Sequence, residues 1–257
     1  MHAAAAAQLD VIALTDHDTT AGWNPAAEAL PMGLSFVRGA EISCSSGGIS
    51  LHLLAYLFDP GQQSLSAQLS ALRESRVTRA ERMVELLAAD GVPVTWEQVQ
   101  SLAGGTVGRP HVAQALVQSR LIAGVAEAFT PEWIGTRGRY WAPKLELDVL
   151  DAIRMVADAG GVSVFAHPGA SARGRTVSDG VIEDMAAAGL DGLEVDHPDH
   201  TTQTAARLSI LAEGLGLITT GSSDFHGANK QVRLGDFLTD PVAYEALVER
   251  ATGVGVL

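Results

Sequence analysis

An α/β barrel core interrupted by a helical insert is the fold this sequence predicts, on three observations. Six short apolar runs each carry or lead into a small polar cluster rich in His, Asp or Glu. Helical patterns separate most of these runs, which is the rhythm of buried parallel strands joined by helices. From residue 64 to residue 142 that rhythm stops and only helical patterns appear.

Taken in order, residues 3–9 read as the end of a helix that feeds a first strand, Val11-Ile12-Ala13-Leu14, ending in Thr15-Asp16-His17-Asp18. Strand patterns follow at about 34–42, leading into Gly39-Ala40-Glu41, and at about 50–57, carrying His52. Asp59-Pro60-Gly61 then gives a turn. Ser66 to Ala89 is a long helical pattern that Gly91-Val92-Pro93 stops. Thr95 is placed to cap a short helix through Leu102, and His111 to Leu121 forms another after Arg109-Pro110, where a proline suits a helix start. Alternation resumes with a helix at 146–159 and strands at 162–166, 192–196 and 217–221. These strands end in Ala166-His167-Pro168, Asp196-His197-Pro198 and Gly221-Ser222-Ser223-Asp224-Phe225-His226. Helices at 178–188, 201–214 and 240–251 complete the pattern. The expected organisation is therefore a discontinuous core of residues 1–63 and 143–257 with an insert of residues 64–142.

Composition narrows the function. With 47% hydrophobic residues and only 5% aromatics, the chain suits tight helix-on-sheet packing. A formal net charge of −13 disfavours sequence-blind binding to long nucleic acid or an anionic membrane, and leaves room for a small phosphorylated substrate. One cysteine, Cys44, gives no disulfide framework and points to a reducing cytoplasm. Neither a membrane span nor the charged start of a signal peptide is visible, and nothing marks an obligate protein partner. A phosphate-binding Gly-x-x-x-x-Gly-Lys loop and a Gly-x-Ser-x-Gly nucleophile turn are both missing.

Catalytic groups of such barrels collect at the C-terminal ends of strands, and His, Asp and Glu converging there suit a hydrolytic site with several metal ions. Asp224 and His226 alternate in an extended segment, so both can face one side. Pro168 stops the strand that presents His167, and Glu41 follows its apolar run directly. Blander readings stand beside these. His52, near the start of its strand, could be a satisfied core histidine; Asp16 and Asp18 could orient His17; His197 and His200 could be a polar loop and helix cap. Arg73, Arg76, Arg79 and Arg82 recur every third residue and read as a solvated face with Glu74, Glu81 and Glu85.

Thr-Asp-His-Asp at 15–18, Gly-Ala-Glu-Ile at 39–42, Leu-His-Leu-Leu at 51–54, Phe-Ala-His-Pro at 165–168 and Ser-Asp-Phe-His at 223–226 together resemble the polymerase-and-histidinol-phosphatase (PHP) family. Gly-Arg-Pro-His at 108–111 and His-Pro-Asp-His at 197–200 bring it nearer to the TrpH-like branch, which includes 3′,5′-nucleoside bisphosphate phosphatases with 5′→3′ exoribonuclease activity. The resemblance covers about residues 8–238. It implies a distorted (β/α)7 PHP barrel with up to three divalent ions, Mn first, with Fe, Zn or Mg as alternatives. Glu41 would bridge two ions, His52 and His167 completing one site and Asp224 serving the other, while His17 and His226 bind the third. Asp224, His17 and His226 would carry the catalysis. Arg109, His111, Arg139 and His200 would contact a small phosphorylated nucleotide, with short RNA 5′ ends as a second substrate class. For the arginines of the insert, including Arg137, ordinary solvated loop positions are the alternative.

The family pattern begins with a first strand ending in His-x-His and an Asp in a following Ser-Asp-Gly turn. Here Met1 falls within the helix after that strand, so the first strand is missing and a start assigned too late is the expectation. Weak activity and stability of residues 1–257 alone would follow. Two other functions stand beside a nucleotide phosphoesterase: a degenerate, non-catalytic PHP barrel that has lost a metal site, and a histidinol phosphatase.

Overall fold

The computed structural model describes residues 1–227 and 232–257. Two compact units make up the chain: Met1–Leu69 with Glu146–Leu257, and Ser70–Leu145. In the first unit, helix α1 (His2–Ala6) leads to strand β1 (Val11–Leu14), and α2 (Trp23–Glu28) leads to β2 (Ser35–Ser46) and β3 (Ile49–Tyr56). Helix α3 (Gln63–Ala89) carries the boundary between the units. The second unit adds α4 (Trp96–Ser101), α5 (Arg109–Gln118) and α6 (Val125–Ala128). The chain then returns with β4 (Leu147–Asp148), α7 (Val149–Asp158), β5 (Val162–Phe165), α8 (Asp179–Ala187), β6 (Gly192–Asp196), α9 (Thr202–Leu215), β7 (Ile218–Gly221) and α10 (Pro241–Arg250).

The strands form one curled, mixed sheet in the order β1-β2-β3-β5-β6-β7, with β4 beside β2. The pairs β1–β2, β2–β4, β5–β6 and β6–β7 are parallel. Strand β3 departs from the all-parallel expectation: it runs antiparallel to both β2 and β5. The reason is local. Only Gly47 and Gly48 separate β2 from β3, with φ of 55° and 73°, and two residues can close a hairpin but cannot carry a crossover. A consequence for the site is that the start of β3 lies at the same end of the sheet as the last residues of β2.

Helices cover the sheet through apolar stripes. Val149, Ala152, Ile153 and Val156 on α7 are all buried, the spacing of a single helical face. Asp148 starts this helix by accepting from the backbone N–H of Leu150 and Asp151. The core between contains Phe36, Ile42, Leu53, Val164 and Leu193.

The helical unit has its own core, with Met83, Leu87, Val99, Val112, Leu116 and Ile134 buried together. Thr95 caps α4 through the Gln98 N–H at 3.2 Å. The arginine series on α3 is not uniformly solvated. Arg82 makes an exposed pair with Glu85 at 2.7 Å, whereas Arg79 is buried and donates from Nε to the Ala142 carbonyl at 2.8 Å.

Candidate metal centre

Glu41 is the hub of the site. Past the end of β1, residues 16–18 continue alongside β2: the Glu41 N–H donates to the Asp16 carbonyl at 3.2 Å, and the Asp18 N–H to the Glu41 carbonyl at 3.0 Å. This bridge sets His17 beside Glu41. Across the hairpin, His52 pairs with Ser43 and Leu54 pairs with Glu41. Residues two apart share a sheet face, so His52 stands diagonally from Glu41 on one face. The result places His52 Nδ1 2.7 Å from Glu41 Oε1 and His17 Nδ1 3.4 Å from Oε2. His167, just beyond β5, brings Nε2 to 3.2 Å from Oε1. Ligand atoms of His17, Glu41 and His52 all lie within 4.8 Å of one another.

Asp18 holds the backbone next to His17. It is buried, with Oδ1 accepting from the Ser43 N–H at 2.7 Å and Oδ2 from the Ser43 hydroxyl at 2.8 Å. It therefore stitches the His17 segment to β2.

A second group gathers on Asp224. His226 Nδ1 lies 3.1 Å from Asp224 Oδ1, and His197 Nε2 lies 3.6 Å from Oδ2. The His197 Nδ1 accepts from the Asp199 N–H at 3.0 Å, which turns Nε2 toward Asp224. Imidazoles link the two groups: His17, His52, His167, His197 and His200 follow one another with ring centroids 4.7 to 5.4 Å apart. His226 also acts electrostatically on Asp16, the neighbour of His17.

Backbone strain marks the same places. Asp18, His167 and Asp224, three of the seven non-glycine residues with positive φ among the described residues, have φ of 57°, 33° and 49°, a region costly for residues other than glycine and enriched at functional sites. Hydrogen bonding explains one of them: the His167 N–H donates to Glu194 Oε2 at 2.7 Å.

Electrostatics separate the two buried glutamates. Burial would raise the Glu41 carboxyl, but His17, His52 and the hydrogen bonds from His167 and His52 hold it well below its ordinary range. Glu194 is pushed up to about 7, chiefly by burial and also by Glu41 and Asp224, against the opposing pull of His167. His167 itself is raised: burial lowers it, and the Glu41 bond and charge outweigh that. An ionised carboxylate buried under three imidazoles is costly without a cation. Mixed imidazole and carboxylate donors suit divalent transition ions, so these residues fit a metal centre.

The residues expected to contact substrate have partners of their own. His200 has both ring nitrogens engaged by backbone: Nδ1–H donates to the Val195 carbonyl at 2.8 Å and Nε2 accepts from the Gly169 N–H at 3.0 Å. His200 thereby ties the loop after β6 to the loop after β5. In the helical unit, His111 Nδ1 accepts from the Gly108 N–H at 3.0 Å, Arg109 lies over the Phe129 ring at 5.3 Å, and Arg139 pairs with Asp90 at 2.7 Å. Sequence reasoning passed over Glu194 and Arg173. The first had a signal, a charged residue inside the apolar run 193–195. Arg173 had none, lying in a Gly-rich loop outside any motif.

No family profile matches the chain. It is 34% identical over 230 residues to a 3′,5′-nucleoside bisphosphate phosphatase of Chromobacterium violaceum, covering 87% of this chain and 79% of the relative. It is 32% identical over 238 residues to a 5′-3′ exoribonuclease of Haemophilus influenzae, covering 91% and 86%. A crystal structure from Bifidobacterium adolescentis, assigned as a metal-dependent phosphoesterase, matches with a TM-score of 0.90 at 36% identity over 97% of this chain and 88% of that one. Fold, site and relatives together define a metal-dependent phosphoesterase. The chain belongs to the PHP family of phosphoesterases.

Proposed function

We propose that this protein removes phosphate from 3′,5′-nucleoside bisphosphates, with 5′ ends of short RNA as a second substrate, and that manganese is its preferred ion. The observation that carries the reading is the buried Glu41 with His17, His52 and His167 on its carboxylate, neighbours that hold that carboxyl well below its ordinary range. The bisphosphate phosphatase and exoribonuclease relatives support the substrate class, and a net charge of −13 favours the small substrate over long RNA.

Divalent ions held by these residues would supply charge neutralisation at the phosphoryl oxygens and a more acidic water. Glu41 would be the shared carboxylate, with His52 and His167 beside one of its oxygens and His17 beside the other. Asp224 and His226 form the second edge. Asp18, Glu194 and His200 fix the three loops that carry these groups, so their spacing survives substrate exchange. Arg109 and His111 in the helical unit are the proposed holders of the second phosphate; planar guanidinium suits that role. The single cysteine and the lack of any helix, among the described residues, long and apolar enough to cross a membrane support placement in the cytoplasm.

The test measures metal content and phosphate release from a 3′,5′-bisphosphate, from 5′-phosphorylated RNA oligonucleotides and from histidinol phosphate. The bisphosphate should give the highest kcat/KM. Glu41→Gln should lose bound manganese and lower kcat by about 10²–10³. A preference for histidinol phosphate, or no metal-dependent release from any of the three, would replace this reading with one of its alternatives.

A further inference from the structure

We propose that Arg173 is an exchangeable cap on Asp224, bonded to that carboxylate while no other cation occupies it and turned onto a phosphoryl oxygen of the substrate once a divalent ion takes its place. This rests on the reading of Asp224 as a metal ligand.

The guanidinium of Arg173 is shared between two carboxylates. Its Nη2 donates to Asp224 Oδ2 at 2.6 Å and its Nε to Asp199 Oδ2 at 2.5 Å. The Asp224 oxygen it holds is the one nearest His197 Nε2, on the side that joins the row of imidazoles leading to Glu41. A cation on that oxygen and the guanidinium would repel each other at close range, so the two positions exclude one another. Asp199 lies outside this competition. On release from Asp224, the Nε bond still tethers the side chain beside the site, and both terminal nitrogens are available to a phosphate in the forked geometry that guanidinium favours.

The backbone supports a side-chain swing rather than a loop opening. Arg173 ends a 3-10 turn, Ser171–Arg173, in a run of exposed residues from 171 to 176. Before it, the Gly169 N–H is held by His200 at 3.0 Å. After it, Gly174 takes a φ of 145°, and Arg175 reaches across to donate to the Gly48 carbonyl of the β2–β3 hairpin at 2.9 Å. The strap is thus anchored on both sides of Arg173, while the side chain itself, about a third exposed at 36%, has room to turn.

Calorimetric titration of the metal-free protein with Mn²⁺, alongside steady-state kinetics on a 3′,5′-bisphosphate, tests the proposal. Arg173→Met should bind Mn²⁺ about tenfold more tightly, while KM rises at least about tenfold. Arg173→Lys should keep metal affinity near the wild-type value and still raise KM, because a point charge can cap a carboxylate but cannot fork onto phosphate. A residue that merely supports Asp224 would do the reverse, its loss loosening Mn²⁺ by about 10- to 100-fold; that result, or unchanged affinity, overturns the cap. Unchanged KM in Arg173→Met overturns the transfer to phosphate. Asp224→Asn separates the two levels of the argument. If it leaves Mn²⁺ stoichiometry unchanged, Asp224 carries no ion and the reading beneath the proposal fails. If stoichiometry falls but Arg173→Met binds no more tightly, the cap alone is wrong.

Discussion

Glu41 and Glu194 are both buried, yet their carboxyls are shifted in opposite directions because their neighbours differ. Three imidazoles surround the Glu41 carboxylate, whereas Glu194 has one backbone N–H from His167 and the nearby charges of Glu41 and Asp224. A measurable pH dependence follows in the metal-free protein. With Glu194 raised from 4.5 to about 7, the folded chain holds a proton in that window that the unfolded chain has released. The folded state then binds more protons, so the Glu194 contribution falls as pH rises from about 4.5 to about 7. In Glu194→Gln this decline should vanish, and the variant should gain on the wild type through that window in urea unfolding. Parallel stability curves for the two proteins would show that Glu194 is ionised throughout. His167, raised above 6.5 by Glu41, contributes in the same sense: its stabilisation is full below the unfolded value and is lost as pH passes the folded one. Glu41, held low, contributes stability above the unfolded carboxylate value and loses it as pH falls toward its own.

At the scale of elements, the β2–β3 hairpin decides whether Glu41 and His52 meet. Type I′ geometry needs two residues with positive φ, and Gly47 and Gly48 supply them. Gly48→Ala should cost about 1–2 kcal/mol in urea unfolding, while Gly47→Asn, suited to the first turn position, should change stability by less than about 0.5 kcal/mol. Equal losses in both would mean a different turn. The sequence carried the signal for this turn, but apolar runs alone cannot tell a parallel strand from an antiparallel one, so β3 was expected with the wrong direction. The strand ends bearing His17, Glu41, His167 and Asp224 were legible, because metal-capable residues after apolar runs leave a one-dimensional trace. Arg173 was not, since its partners Asp199 and Asp224 lie 26 and 51 residues away and only the folded chain brings them together. His200 was legible as polar but not as a backbone clasp, because backbone acceptors leave no mark in the sequence.

For the whole molecule, each of the two compact units has a separate core. Damage to one should therefore be read separately from damage to the other. Leu116 is fully buried in the helical unit, and Leu116→Ala should lower the stability of that unit by about 2–5 kcal/mol. Manganese stoichiometry should stay as in the wild type, since every proposed ligand lies in the other unit. Loss of manganese in this variant would show that the ligand-bearing unit depends on the helical core.

The wide separation of the ligands along the chain also orders events in time. Glu41 and His52 belong to one hairpin, whose closure is a local event on the scale of microseconds. His167 reaches Glu41 across 126 residues, and Asp224 comes from still farther along. Contacts of that span form late, because the intervening chain must first be ordered. Closure of the β2–β3 hairpin would therefore bring together Glu41 and His52, two of the six proposed ligands, before the contacts of longer span. Two such groups alone would hold an ion weakly, so most of the expected metal affinity would come with the long-range contacts to His167 and Asp224 rather than with the hairpin.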